Sequence, residues 1–137
     1  LHVLDAELTD GTCVQVVHRD LPDLRALALL DAVMNNADRK AGHLLRDPEG
    51  RLWAVDHGVT FHAEPKLRTV LWGFAARPIE QALLQRISDD LLDIPALRTA
   101  LTDAELVALR HRINDLHTSG RYPLPSEDWP AIPWPIF

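Results

Sequence analysis

Cysteine is almost absent from this chain of 137 residues, where Cys13 stands alone. A single thiol excludes a disulfide framework and a zinc site built on cysteines. It fits a reducing compartment, so a cytoplasmic setting is expected and Cys13 reads as an inert strand residue. Lysine is nearly as scarce, with Lys40 and Lys66 the only two, and the formal net charge is −6. Proteins that grip nucleic acid without sequence preference do so with lysine and arginine, which an acidic chain is poorly equipped to do. No apolar run approaches the ~18 residues of a membrane span. The start, Leu1-His2-Val3-Leu4-Asp5, lacks the basic lead of a signal peptide. The six glycines are scattered, so there is no glycine-rich phosphate loop. The chain opens on Leu1, not Met, and reads as a segment of a longer protein.

What is present is ordinary globular material: 47% hydrophobic and 25% charged residues, enough for one domain with a core. Leu1–Leu8 and Thr12–Val17 read as extended segments around Thr9-Asp10-Gly11, a hairpin signal. After a turn over residues 18–23, Pro22 opens a helix whose stretch from Leu24 to Met34 is apolar on nearly every side, as in a buried helix. Its one acid past the first turn, Asp31, must then be interior and needs hydrogen-bond donors, which the following loop can supply. That loop, Asn35-Asn36-Ala37-Asp38-Arg39-Lys40-Ala41-Gly42, is densely polar. Two short strands follow, His43–Arg46 and Arg51–Val55, joined by the turn sequence Asp47-Pro48-Glu49-Gly50 and running into Asp56-His57-Gly58.

The second half reads as helical, with Ile79, Leu83, Ile87 and Leu91 as one stripe of a longer helix. Thr102-Asp103-Ala104-Glu105 is a capping box before the face Leu106, Leu109, Ile113 and Leu116, and Gly120 ends that helix. Five prolines and two tryptophans fill the tail from Pro123, which reads as an extended strap docking its rings on the body, or as a disordered end.

Chemistry gathers in the polar loop and the Asp-x-Gly turn. Phosphoryl transfer in kinase-like folds needs an Asp that positions the acceptor hydroxyl and a metal ligand five residues on. The Asp of an Asp-x-Gly turn holds the cation that bridges the phosphates. Asp38 followed by His43, and Asp56 ahead of Gly58, have that order, and the hairpin between them would bring the two ends together. His18-Arg19-Asp20-Leu21 spells the protein-kinase tetrapeptide, yet five residues past Asp20 stands Arg25, which holds no cation. It reads as a loop and helix cap. A weaker alternative is a zinc site on Asp56, His57 and His62.

Asp31, Asn36-Ala37-Asp38-Arg39-Lys40, His43-Leu44-Leu45 and Val55-Asp56-His57-Gly58 together resemble the phosphatidylinositol 3- and 4-kinase-related group. The likeness is greatest to small actinobacterial proteins classed with those kinases, and the same features are similar to type II phosphatidylinositol 4-kinases and HipA-like kinases. Val59-Thr60-Phe61-His62 and Lys66-Leu67-Arg68-Thr69-Val70-Leu71-Trp72-Gly73 extend it, so the resemblance covers residues 18 to about 80. It implies an α+β, mainly helical fold, the C-terminal lobe of a kinase-like domain with a small β-hairpin. Residues 1–17 would lie near the hinge and residues 59–78 would act as an activation-like segment. It implies ATP with Mg²⁺ or Mn²⁺ as cofactors and an acceptor hydroxyl on a lipid head group, a small molecule or a protein. Asp38 would be catalytic, with Arg39 steadying the loop or the transferring phosphate. Asn36 and Lys40 would serve the nucleotide, Asn36 and Asp31 would brace the loop, His43 and Asp56 would hold metal, and Lys66 and Arg68 would meet the acceptor.

Two departures shape the expectation. His43 stands where the family has a metal-binding Asn, and imidazole suits Mn²⁺ better than Mg²⁺. No upstream strand lysine with a helical glutamate partner is visible, so the N-terminal lobe is expected to lie outside this chain, and the segment alone should be inactive. The apolar surface which that lobe would cover favours self-association. The alternative reading is a pseudokinase, a nucleotide-binding interaction module without catalysis.

Overall fold

The computed structural model describes the whole chain except Leu8, Thr9 and the side chain of Asp89. Strands β1 (His2–Glu7) and β2 (Cys13–Val17) pair antiparallel with an irregularity between His2 and Leu4. Leu8 and Thr9, at the expected first hairpin turn, lie outside the described residues. Next to them, Thr12 N–H donates to Asp10 Oδ1 at 3.0 Å and Gly11 takes a φ of +82°, open to glycine at no steric cost. Cys13 is exposed on β2.

Helix α1 (Pro22–Met34) starts where the proline presets φ and stops at Asn35, whose left-handed backbone (φ +54°) turns the chain out of the helix. Leu27, Leu29 and Val33 are buried, each contributing roughly 1.5–3 kcal/mol of apolar transfer. The helix is less enclosed than its composition predicts: Leu30 is 44% exposed. The reason is a groove of about 420 Å³ between α1, the following hairpin and the 83–91 stretch. No side chain caps α1. Asp20, the expected cap, instead accepts from Arg25 Nε at 2.6 Å and Arg77 Nη1 at 2.9 Å.

Strands β3 (Leu44–Arg46) and β4 (Leu52–Ala54) form the second antiparallel hairpin, with Leu45 opposite Trp53. The Asp47–Gly50 turn closes it, Gly50 N–H bonding to Asp47 O at 2.9 Å. His43 lies in a 3₁₀ turn (Ala41–His43), not in the strand.

The region from residue 79 departs from the expected long helix. Helix α2 is a single turn (Gln81–Leu84), followed by a 3₁₀ turn (Asp89–Asp93) and helix α3 (Pro95–Ala100). Ser88 Oγ accepts the Asp90 N–H, a local side-chain bond that interrupts the stripe, and Pro95, past its last residue, opens α3. Ile79, Leu84, Ile87 and Leu92 are buried all the same, against one shared core. Helix α4 (Asp103–Ser119) has both halves of the capping box: Glu105 N–H donates to Thr102 Oγ1 and Thr102 N–H donates to Glu105 Oε2. Its Leu109, Ile113 and Leu116 pack with α1, Leu71, Phe74 and Tyr122, and Gly120 ends it with φ +60°. The tail is an ordered strap, with Pro133 and Ile136 buried, but only one ring docks: Trp134 is 78% exposed. The architecture is α+β, and among the described residues no helix is long and apolar enough to cross a membrane.

Candidate functional site

The polar loop after α1 is assembled from Asp31 outward. Asp31 and Arg39 are both fully buried. Arg39 Nε donates to Asp31 Oδ2 and Nη2 to Oδ1, each at 2.9 Å, a two-pronged pair that is stronger and more directional than a single contact. Asn36 Nδ2 donates to the same Oδ1 at 3.0 Å. Asp31 thus takes its donors from the loop that follows, as its burial demands. Asn36 Oδ1 then accepts the Asp38 N–H at 3.0 Å, so the buried network sets the backbone at Asp38.

Two further bonds connect this loop to the Asp-x-Gly turn. Arg39 Nη1 donates to Val55 O at 2.9 Å, and Ala37 N–H donates to Val59 O at 2.9 Å. The loop is therefore tied on either side of Asp38 to the backbone on either side of Asp56-His57-Gly58. Arg39 adds a parallel bridge to Thr69. Asp56 has a positive φ of +57°, a conformation sparsely used by non-glycine residues and tolerated best by Asp and Asn. Its side chain is 61% exposed, with Oδ2 3.6 Å from His43 Nε2 and Oδ1 toward Gly58 N–H at 3.4 Å.

His43 Nδ1 faces the Lys40 N–H at 3.4 Å. With Nδ1 as acceptor, the hydrogen of a neutral imidazole sits on Nε2, toward Asp56. For Nε2 to bind a cation, the ring must release Lys40 N–H and carry its hydrogen on Nδ1. Asp38 is partly exposed, and Lys40 Nζ lies 3.6 Å from its Oδ2, so this lysine leans on Asp38.

Lys66 and Arg68 are not a solvated face. Lys66 Nζ pairs with Glu64 Oε2 at 3.3 Å and sits 3.8 Å from the centre of the Trp129 ring. The Arg68 guanidinium lies 5.9 Å from the same ring and donates to Ile132 O at 3.4 Å. Both grip the strap. Thr69 N–H and Trp72 Nε1 also reach the strap, at Ala131 O.

The sequence reading missed Asn35. Its Nδ2 donates to His62 O at 2.8 Å and Glu64 O at 2.7 Å, and its Oδ1 accepts the Lys66 N–H at 2.8 Å. One buried amide thereby holds three points of the 62–66 stretch. A polar residue just past an apolar helix signals the left-handed cap, but its bonding partners 27 to 31 residues away leave no local trace.

The other sequence candidates fall away from this cluster. Asp20 is spent on Arg25 and Arg77, and the Arg25 hydrogen bond holds its carboxyl below the usual range. His62 Nδ1 faces its own loop at Glu64 N–H, 3.0 Å away. Among the described residues, no three His, Cys, Asp or Glu side chains gather as a metal site, so the zinc alternative on Asp56, His57 and His62 finds no assembled ligand set.

Protein Rv2133c of Mycobacterium tuberculosis (strain ATCC 25618 / H37Rv) is similar to this chain, with 43% identity over 142 residues. The match takes in all of the chain and 51% of the relative, so the chain spans about half the length of the curated relative it matches. No family model matches the sequence, and no solved structure matches it.

Chemically, the cluster presents two carboxylates with open edges, Asp38 and Asp56, on loops locked to each other from behind. Carboxylate oxygens suit a hard divalent cation. With so few protein ligands, such a cation would complete its shell with water and phosphate oxygens, which is how Mg²⁺ is ordinarily held beside a nucleotide. Among the described residues Asp38, His43 and Asp56 do not gather as a three-ligand set either, so a cation here would rest on one or two protein ligands.

Proposed function

We propose that this chain carries the catalytic loop of an ATP-dependent phosphotransferase of the phosphatidylinositol 3-/4-kinase-like group, acting on a hydroxyl acceptor. The reading is supported by one observation above the rest: the Arg39–Val55 and Ala37–Val59 bonds clamp the Asp38 loop onto the Asp56 turn. Residues 18 apart along the chain thus share one rigid frame, which phosphoryl transfer requires because it depends on positioning and charge neutralisation.

In this reading ATP with Mg²⁺ or Mn²⁺, when bound, supplies the phosphoryl group and the neutralising charge. Asp56 would hold the cation through its exposed carboxylate. Asp38 accepts the hydrogen of the acceptor hydroxyl as that oxygen bonds to the γ-phosphorus and the bond to the β-phosphate oxygen breaks. Lys40 holds Asp38 in place until a nucleotide phosphate competes for its ammonium group. Arg39 and Asp31 act as positioning residues, since both are sealed from solvent. Lys66 and Arg68 would meet an acceptor phosphate only on releasing Glu64 and Trp129. In this reading a kinase-like N-terminal lobe would sit over the site's apolar rim, where Val55 and Val59 are exposed, and that rim is the surface on which a second copy would pair.

The test is a thermal-shift titration of the full-length protein with ATP and Mg²⁺ or Mn²⁺. A shift lost in Asp56→Ala, together with phosphate release or autophosphorylation lost in Asp38→Ala, is the expected result. A shift that survives with no turnover under any metal supports the pseudokinase alternative. No shift with either metal overturns both. The 137-residue segment alone should show no shift.

A further inference from the structure

A cavity of about 580 Å³ opens between α4, the end of α1 and the 63–67 stretch, a volume suited to a small ligand. Leu67, Trp72, Leu116, Pro123 and Leu124 give it apolar walls. Into this setting α4 brings Arg112, whose guanidinium is fixed by two neutral carbonyls: Nε donates to Val33 O at 2.9 Å and Nη1 to His62 O at 3.4 Å. The third nitrogen, Nη2, is buried and has no partner. Asp115 also lines the cavity, but no ion pair joins it to Arg112 among the described residues. Burial pushes the Arg112 guanidinium below its ordinary range, a sign of lost water without a compensating anion. A guanidinium paired only with neutral carbonyls keeps an uncompensated charge, which an anion in the cavity would neutralise.

We propose that this cavity binds an amphipathic anion, its apolar body against Trp72, Leu116 and Leu124 and its single carboxylate or phosphate group on the side of the Arg112 guanidinium that lines the cavity. His111 and Arg121 line the same cavity, Arg121 Nη1 already donating to Ala76 O at 2.7 Å. The site uses none of Asp38, Asp56 or the nucleotide, so it stands or falls separately from the phosphotransfer reading.

The experiment is fluorescence titration of the full-length protein with 8-anilino-1-naphthalenesulfonate, an apolar body with one anionic group, against the uncharged N-phenyl-1-naphthylamine. The anionic probe should bind at least about tenfold more tightly, as a charged hydrogen bond implies. Arg112→Gln should abolish that preference. Ala108→Trp, which fills the cavity from α4 and leaves Arg112 in place, should weaken both probes. Melting curves of each variant establish that it is folded, and should Arg112→Gln fail to fold, Ala108→Trp decides. Decanoate and decyl phosphate then compete for the site, and the tighter competitor identifies the head group. Equal binding of the two probes, unchanged binding in folded Arg112→Gln or in Ala108→Trp, or competition by neither amphiphile overturns the proposal.

Discussion

Asp31 and Asp56 are two carboxylates of one cluster with opposite environments. Asp31 has no exposure and three donor bonds from Arg39 and one from Asn36. Asp56 is mostly exposed, in a left-handed backbone, with only long contacts to His43 Nε2 and Gly58 N–H. The first acid is committed to holding the loop and has no free edge. The second has its edges open and is held mainly by backbone, so it is free to take a ligand. The contrast separates the frame of the site from its working surface: buried polar networks fix geometry when fully satisfied, and reactive groups must stay partly unsatisfied.

The largest effect should come from breaking the frame. Asp31→Ala leaves Arg39 buried without its counter-charge and should cost about 3–5 kcal/mol in chemical denaturation. A loss under 1 kcal/mol would erase the distinction drawn between the two acids. Next, Gly73→Ala places a methyl group 2.5 Å from both His18 Nε2 and Leu1 Cβ, and should cost about 1–3 kcal/mol through overpacking.

His18 sharpens the comparison as a half-buried polar group that is not fully satisfied. Its Nδ1 meets Arg19 O at 2.9 Å, Nε2 is buried without a partner, and the ring lies 4.6 Å from that of Phe74. Burial holds its pKa below the ordinary 6.5, so the unfolded chain binds the proton more readily than the folded one. The resulting stability is present above pH ~6.5 and is lost as pH falls through that value toward the lower folded pKa. Melting temperature measured from pH 8 to 5 should show the decline, and His18→Gln should flatten the component due to this residue; an identical pH profile in the variant refutes it.

The smallest effect on stability is expected at the working surface. Asp56→Asn keeps the side-chain shape and the tolerance for positive φ, and should stay within about 0.5 kcal/mol of the parent. A destabilisation as large as that of Asp31→Ala would show that Asp56 belongs to the frame. His43→Asn bears on function at the same surface: it should raise Mg²⁺-dependent turnover in the full-length protein if His43 is a metal ligand. A loss of turnover with both metals would instead assign His43 to holding Asp56.

Legibility in the sequence followed the range of the interaction. Pro22 at the start of α1, the Thr102–Glu105 box, Gly120 and the Asp47–Gly50 turn act within a few residues, and each is found where the pattern places it. Asp31 was also legible, because an acid in an apolar helix has few ways to be satisfied and the donors follow at once. The stripe from Ile79 to Leu91 misled for the complementary reason: apolar spacing records burial, and a one-turn helix, a 3₁₀ turn and loop chain bury Ile79 and Ile87 of the stripe while Leu84 and Leu92 go inside in place of Leu83 and Leu91. Asn35, Arg112 and Trp129 were not legible as site builders, since their partners lie far along the chain.

Taken alone, the order of residues settles that Asp31 must be buried and bonded, where α1 starts and where α4 starts and stops, and that a single cysteine excludes disulfide and cysteine-zinc chemistry. Folding in three dimensions decides which acid is sealed and which stays open, that Lys66 and Arg68 are taken up by the strap, and that Arg112 keeps one nitrogen unpaired. Local rules act through the backbone over a turn or two. The partner of a buried charge is chosen by whichever distant segment packs against it.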